Sequence, residues 1–182
     1  MHIIPASAFR TQPWKNGGGV THEIAREDAG DRLLWRLSVA EVASDGPFSA
    51  FPGLARILTV IEGAGLHLDT PEGRLDALPF TPTGFSGDLP VNCRRIAGPV
   101  RDLNVIHDPE RIAASVRILD GTERHESPPV PGRRYAILAT GPRAVVDGTA
   151  IPPGAVGFFE HGTAQATTIF PAILVIFEQI PT

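Results

Sequence analysis

The chain has 182 residues, 42% of them hydrophobic and 20% charged, an ordinary composition for a globular protein with one large core or two smaller ones. Its formal net charge of -4 leaves no basic patch for a nucleic-acid backbone, and its longest apolar runs are strand-sized, far short of the roughly 20 residues that span a bilayer. The amino terminus lacks the cationic and apolar segments of a signal peptide, so we expect a cytoplasmic protein without nucleic-acid or membrane partners.

Glycine and proline interrupt apolar runs of about five to eight residues along the whole chain, a pattern typical of short strands joined by turns. The first clear strand is predicted over 33–42, where hydrophobic and polar residues alternate. Trp35 then shares one face with the apolar residues, while Arg36 and Ser38 lie on the other face.

The strands predicted next lie at 56–63, 65–69, 91–96 and 100–106. A glycine turn follows the first of them, so we expect 65–69 to return beside 56–63 as its hairpin partner. The segment PERIAASV, which follows Asp108, is either a short helix or a link between two halves.

An ordered internal repetition suggests two halves of one kind. RILTVIEG, a Pro/Gly-rich corner and VRDLNVI in the first half correspond to RYAILATG, a similar corner and PAILVIFE in the second. We therefore expect an all-β fold of two consecutive β-sandwich lobes, 1–110 and 111–182, in one compact unit. The second lobe lacks the charged and aromatic loops of the first and is expected to be mainly structural.

The residues that most often hold metals are sparse. Cys93 is the only cysteine and, on an alternating segment, is expected to be a small core residue. The six histidines show no paired spacing; His67 alone is a candidate to face the lumen of the first lobe.

The strand that ends in Glu62-Gly63, with the Pro/Gly corner and the returning strand, resembles the cupin superfamily of antiparallel jelly-roll barrels. That resemblance implies a two-lobed (bicupin) antiparallel β-sandwich or jelly-roll barrel. In cupin enzymes histidines and a glutamate hold a metal, but here Arg56 stands in the glutamate's place and Gly157 in that of the second-motif histidine, and 47–53 contains no histidine. We expect neither a metal nor another cofactor.

A more specific resemblance rests on PWKNGGGVTHEI, WRLSVAEV, DGPFSAFPG, the strand from Arg56 to Gly63, FSGD and GPVRDLNVI, which occur in order within about the first 110 residues. Together they resemble the HutD/Ves family of cupin-type proteins. The resemblance implies small-molecule binding without a known catalytic activity. For members encoded with histidine-degradation genes it implies a regulatory role in which N-formyl-L-glutamate or a related intermediate is bound.

An arginine inside a barrel is costly unless it is paired, and a ligand carboxylate matches its planar donor fork. Arg56 and Arg36 therefore predict a small anionic ligand. On another strand Asp102 and Asn104 share one face, and the amide of Asn104 could read an amide or formyl group. The alternatives are that either arginine pairs with Asp102, Glu23 or Glu41 and only fixes the structure, and that Asp102 or Asn104 caps a strand edge.

The glycine run lacks the spacing of a phosphate-binding loop. We expect the residues before it to form a polar and aromatic lip at the mouth of the same cavity, with the glycines allowing a close backbone approach. The alternative is a bulged turn with Trp14 as a plug. Aromatic residues beside glycine or proline, such as Phe48, are candidates for the cavity wall or for the core. The candidate ligand-binding residues are Trp14, Lys15, Asn16, Gly17, Arg36, Ser38, Phe51, Arg56, Phe85, Asp102 and Asn104.

Two other classes of function stay open. A metal-independent isomerase or hydrolase would need a general acid or base, for which Glu23, His67 and Asp102 are candidates, although no dyad spacing demands one and no catalytic residue is assigned. A purely structural protein would fill its lumen with its own side chains. A homodimer is compatible with either.

Overall fold

The computed structural model describes residues 1–121, 124–166 and 170–181. These residues form nineteen strands and one short 3-10 helix, and every strand pairing within the sheets is antiparallel. The all-β prediction is confirmed. No helix in the described part of the chain has the length and apolar character needed to cross a membrane.

The strands, in chain order, are β1 His2–Ile4, β2 Arg10–Pro13, β3 Gly19–Ala29, β4 Arg32–Val42, β5 Gly46–Pro47, β6 Ala55–Glu62, β7 Leu66–Thr70, β8 Gly73–Ala77, β9 Thr83–Ser86, β10 Asn92–Arg95, β11 Val100–His107, β12 Ile112–Leu119, β13 His125–Ser127, β14 Arg133–Ala139, β15 Ala144–Val146, β16 Thr149–Ile151, β17 Val156–Phe159, β18 Gly162–Gln165 and β19 Ala172–Gln179. The 3-10 helix is Ala6–Ala8.

The chain divides into two compact units. The central unit is Arg10–Glu110, and the terminal unit combines Met1–Phe9 with the residues from Arg111 onward. The first nine residues, placed in the first lobe by the sequence, thus belong with the later part of the chain, because β1 pairs with β17.

The central unit consists of two facing sheets. One has six strands in the order β2-β3-β4-β11-β6-β9, and the other has four in the order β5-β10-β7-β8. Between them lies an apolar cluster drawn from both sheets, including Leu58 and Val60 from the first and Leu66, Leu68 and Cys93 from the second. Cys93 is fully buried, which confirms its predicted place in the core, and burial raises the pKa of its thiol to about 12.

The predicted hairpin between 56–63 and 65–69 is wrong. Strand β6 belongs to the six-stranded sheet, whereas β7 pairs with β8 and β10 in the other one. Gly63 and Gly65 have φ angles of 97° and 117°, in the region that favours glycine, and a Cβ on Gly63 would lie 2.6 Å from the Pro99 carbonyl oxygen. The glycines therefore carry the chain from one sheet to the other.

The segment PERIAASV does not form a helix. Its last five residues begin β12, which pairs along its whole length with β19. Buried and more exposed residues alternate between Ile112 and Leu119, as a strand requires, and β-branched residues such as Val116 favour that geometry.

The terminal unit also has two sheets, one of five strands in the order β1-β17-β14-β19-β12 and one of four in the order β13-β18-β15-β16. Its core contains Tyr135, Ile137, Phe159 and Leu174 from the first sheet and Ile151 from the second. The rings of Tyr135 and Phe159 stack with their centroids 5.4 Å apart. The interior of this unit is thus packed with apolar side chains.

Candidate functional site

The pairing register of three adjacent strands builds a polar floor in the central unit. On β11, Ile106 lies opposite Arg36 of β4 and Arg56 of β6, and Asn104 lies opposite Ser38 of β4. Directly opposed residues of an antiparallel sheet share a face. This face borders a cavity of about 420 Å³, lined by Gln12, Pro13, Trp14, Lys15, Asn16, Thr21, Arg36, Ser38, Ala40, Pro47, Phe48, Ser49, Phe51, Arg56, Asp102, Asn104 and Ile106.

Arg56 is the most deeply buried of the cations that line this cavity. It is 7% exposed, and its Nη2 donates a 2.8 Å hydrogen bond to Asn104 Oδ1. Its guanidinium carbon lies 5.4, 5.3 and 5.0 Å from the ring centroids of Phe48, Phe51 and Phe85, within range of cation–π attraction. Burial lowers the pKa of Arg56 to about 10, so the side chain is still a cation at neutral pH. Its Nε is buried and has no hydrogen-bond partner among the described residues.

Asp102 is fully buried on the same floor. Asn104 donates from Nδ2 to Asp102 Oδ1, while Oδ2 has no hydrogen-bond partner in the described part of the chain. Burial raises the pKa of Asp102 to about 7, although the Arg56 charge and the Asn104 hydrogen bond both act to lower it. Arg56, Asn104 and Asp102 thus form a connected relay, the Arg56–Asn104–Asp102 relay, with one unused polar atom at each end.

Arg36 is paired within the protein. Its Nε donates a 2.7 Å hydrogen bond to Glu23 Oε2 on the neighbouring strand β3, one of the partners considered from the sequence. Arg36 still lines the cavity, but Glu23 balances its charge. Arg56 and Lys15 are therefore the lining cations for which no ion pair within 4 Å is seen in the described residues.

The glycine run belongs to the turn that joins β2 to β3. Trp14 N donates to Gly19 O at 2.9 Å, and Gly17 N donates to Trp14 O at 3.0 Å. Gly17 has φ 70°, and a Cβ on Gly19 would overlap the Glu41 carbonyl oxygen and lie 3.1 Å from the Trp14 ring. The glycines therefore let the turn close tightly against β4 and against the indole.

Trp14 also fixes the mouth of the cavity. Its Nε1 donates a 2.8 Å hydrogen bond to Thr21 Oγ1, and its ring meets the Phe48 ring edge-on with centroids 5.9 Å apart. Lys15, the single lysine of the chain, is exposed beside it. Trp14 thus packs against neighbouring side chains, as expected if it plugs a bulged turn, and it also lines the cavity, as expected if it forms part of the lip at the mouth.

Nine of the eleven candidate ligand-binding residues line this cavity; Gly17 and Phe85 do not. Gly17 shapes the turn, and Phe85 packs against Arg56 from β9, where it lies directly opposite that residue. Phe48, considered from the sequence for the cavity wall or the core, also lines the cavity. The lining residues that the sequence did not suggest are Gln12, Pro13, Thr21, Ala40, Pro47, Ser49 and Ile106.

His67 does not face the cavity. Its neighbours Leu66 and Leu68 point into the core, so His67 lies on the other face of β7, where its Nδ1 is 2.7 Å from Asp76 Oδ1. The alternation along β7 predicts this position, because Leu66 and Leu68 are apolar and face inward, so that His67 between them faces outward.

The donor set does not fit the metal that cupin enzymes hold. Among the cavity-lining residues Asp102 is the one carboxylate, and it stands with Lys15, Arg36 and Arg56. No cluster of three or more His, Cys, Asp or Glu side chains able to hold a metal occurs in the described residues. A divalent ion needs several converging anionic or neutral ligands, so a floor rich in cations opposes it.

Comparison with known proteins identifies the family. A model of the family described as HutD matches residues 6–161. The chain belongs to the HutD family. A Pseudomonas putida relative, described as an uncharacterised 21.2 kDa protein in the hutC 3' region, is 42% identical over 129 residues, which cover 68% of this chain and 67% of the relative. Protein Ves of Escherichia fergusonii is 35% identical over 112 residues, covering 60% and 59% of the two chains.

Solved structures agree with this assignment to the HutD family. HutD from Pseudomonas fluorescens SBW25, solved in a formate condition, has a TM-score of 0.86 at 32% identity and covers 99% of both chains. A Cupin 2 conserved barrel domain protein from Leptotrichia buccalis, at 12% identity, has a TM-score of 0.59 over 97% of this chain and 96% of its own. The latter supports the cupin-like fold alone.

Proposed function

We propose that the central-unit cavity binds a small carboxylate metabolite, N-formyl-L-glutamate or a related intermediate of histidine degradation, and that the protein senses or buffers its level in the cytoplasm. The observation that carries this proposal is the environment of the Arg56 side chain. It is a buried cation, held by Asn104 and three phenylalanine rings, with a guanidinium donor left unused. Because a carboxylate accepts two parallel hydrogen bonds from such a fork, it would satisfy the guanidinium.

The size and composition of the cavity also support a ligand of amino-acid dimensions. Its volume of about 420 Å³ lies at the lower end of the range for small-molecule pockets. The aromatic side chains of Trp14, Phe48 and Phe51 form apolar walls, while Lys15 at the mouth and Arg56 at the floor supply separate cations. A dicarboxylate with a short apolar middle fits this distribution of charge.

The membership of the HutD family supports the metabolic setting. The Pseudomonas putida relative is described by its place beside hutC, and the solved Pseudomonas fluorescens protein carries the HutD name. Both names carry the hut designation, and the family resemblance implies a link to histidine degradation. Intermediates of that route are therefore the first ligands to test.

Calorimetric titration with N-formyl-L-glutamate, L-glutamate and urocanate tests the proposal. Arg56→Lys keeps the charge but removes the planar fork, so we expect N-formyl-L-glutamate to bind the wild type and to bind this variant at least tenfold more weakly. Arg26→Lys is the matched control, because Arg26 is exposed and pairs with Asp28. Absence of heat with all three ligands, or equal affinity of the Arg56→Lys variant, would refute the proposal.

A second candidate function is metal-independent acid–base catalysis, which the environment of Asp102 favours. A carboxyl with a pKa of about 7 inside a cavity exists in both protonation states near neutral pH, as a general acid or base requires. Proton NMR of each ligand incubated with the protein distinguishes the two functions. A catalyst converts the ligand into a product, whereas a binding protein leaves its spectrum unchanged after the protein is removed.

A further inference from the structure

We infer that an anionic ligand enters this cavity together with one proton, which Asp102 takes up at Oδ2, and that the resulting hydroxyl then donates a hydrogen bond to the ligand. This inference rests on the proposed function, in that a ligand carboxylate must lie beside Arg56. The proton comes from solvent when the ligand binds and returns to solvent when it leaves. No bond other than O–H is formed or broken.

The hydrogen-bond directions in the Arg56–Asn104–Asp102 relay determine which oxygen receives the proton. A guanidinium only donates, so Asn104 must present its Oδ1 to Arg56 Nη2. Its Nδ2 is then directed to Asp102 Oδ1, which must act as an acceptor. The position left for a proton is Oδ2, the buried oxygen without a partner in the described residues.

The charged groups around Asp102 make Arg56 its decisive neighbour. From β6, Arg56 favours the ionised carboxylate. From β4, Arg36 is balanced by Glu23 of β3. From β10, Cys93 faces the same region, but burial keeps its thiol neutral, and Lys15 is an exposed side chain at the mouth.

A bound carboxylate changes this balance. Arg56 would then have two buried anions beside it, the ligand and Asp102, and like charges at close range raise the pKa of the group that can accept a proton. Burial has already raised the pKa of Asp102 to about 7 in the free protein. Protonation near neutral pH therefore needs little further free energy, and it converts a repulsive neighbour into a hydrogen-bond donor.

The consequence is an affinity that depends on pH. Above a free-state pKa of about 7, each pH unit lowers the protonated fraction of Asp102 nearly tenfold. Between pH 6 and pH 8.5 the affinity should fall roughly 30-fold, and binding at pH 8 should take up close to one proton. The carboxyl groups of N-formyl-L-glutamate stay ionised throughout this range, so the ligand contributes no titration of its own.

Proton uptake is measured by calorimetric titration of the unmodified protein with N-formyl-L-glutamate at pH 8, once in Tris and once in imidazole. These two cationic buffers have different ionisation enthalpies, so the difference in observed heat reports the number of protons taken up. The expected result is an uptake near one proton per ligand. Binding without proton exchange would overturn the inference, because Asp102 would then stay ionised and accept a hydrogen bond from the ligand. Absence of binding for every probe at pH 6 would instead refute the proposed function, and this inference with it.

The variant Asp102→Asn supplies an independent test. Its amide oxygen can accept from Asn104 while its NH₂ occupies the position of Oδ2, so it imitates the protonated acid at every pH. We expect its affinity to change less than about twofold between pH 6 and pH 8.5, against roughly 30-fold for the wild type. Asp28→Asn, at an exposed residue paired with Arg26, is the control and should retain the wild-type profile. A variant at Asp102 that keeps the full pH dependence would also overturn the inference.

Discussion

Replacing Asp102 by Asn should make the unfolding free energy of the ligand-free protein fall less as pH rises. The pKa of Asp102 is raised from 3.8 to about 7 in the folded protein, because the carboxyl is fully buried. Between these two values the folded state holds a proton that the unfolded state has lost, so the stability contributed by this group falls as pH rises from about 4 to 7 and is then constant. An amide at the same position does not titrate.

The magnitude follows from the size of the pKa difference. Three units correspond to about 4 kcal/mol of unfolding free energy in full, of which about 2–3 kcal/mol is lost between pH 5 and pH 8. The stability of Asp102→Asn relative to the wild type should therefore increase by about 2–3 kcal/mol over that interval. Arg56 titrates near 10, outside the interval, and so does not obscure the effect.

Urea unfolding at pH 5, 6.5 and 8, without ligand, measures this difference. Asp28→Asn is the control, since the hydrogen bond from Arg26 lowers the pKa of Asp28 and keeps that carboxyl ionised throughout the range. A stability difference between the Asp102 variant and the wild type that stays constant from pH 5 to pH 8, or that shrinks, would refute the reasoning. It would mean that Asp102 is ionised in the folded protein across the whole interval.

Three further predictions concern the turn, the core and the mouth of the cavity. Gly19→Ala should destabilise the protein by about 3 kcal/mol in urea unfolding, because the new Cβ overlaps the Glu41 carbonyl oxygen. Gly17→Asn should cost less than about 1 kcal/mol, because Gly17 has φ 70° and open space around it. Equal losses of unfolding free energy in the two variants would contradict this. Cys93 should react with a thiol reagent only as fast as the protein unfolds, since burial raises its pKa to about 12, and rapid labelling of the folded protein would show otherwise. Lys15→Gln should weaken calorimetric binding of N-formyl-L-glutamate roughly twofold to fivefold and leave binding of formate unchanged, and an equal effect on both would exclude a second-carboxylate contact.

Much of the polar floor could be predicted from the sequence because strand periodicity is local. The alternation of 33–42 separates Arg36 and Ser38 from the apolar face, and the alternation of 100–106 places Asp102 and Asn104 together. Both assignments agree with the register seen in the structure. Arg56 was singled out by its place in a family motif, and it lies in the same cavity.

The features that were missed depend on contacts between distant segments. A glycine turn after 56–63 signals a change of direction, but it does not say which sheet receives the next strand, and β7 lies in the other sheet. Gln12 and Thr21 line the cavity because the turn at Gly17 sets them directly opposite each other on β2 and β3. Such register is fixed by turn geometry and by pairing, which no short window of sequence contains.

The interiors of the two units differ in a way that suggests why the Arg56–Asn104–Asp102 relay exists. The terminal unit fills its interior with apolar side chains, including the stacked rings of Tyr135 and Phe159. The terminal unit leaves one neutral hydroxyl, that of Ser127, buried without a partner in the described residues, whereas the central unit buries a cation and a carboxyl, each with such an unpartnered polar atom. Each such atom destabilises a fold by about 1–3 kcal/mol, and well-packed apolar side chains are usually at least as stable as buried charges. Stability alone would thus favour an apolar floor, and a ligand that satisfies both ends of the relay gives a physical reason for a polar one.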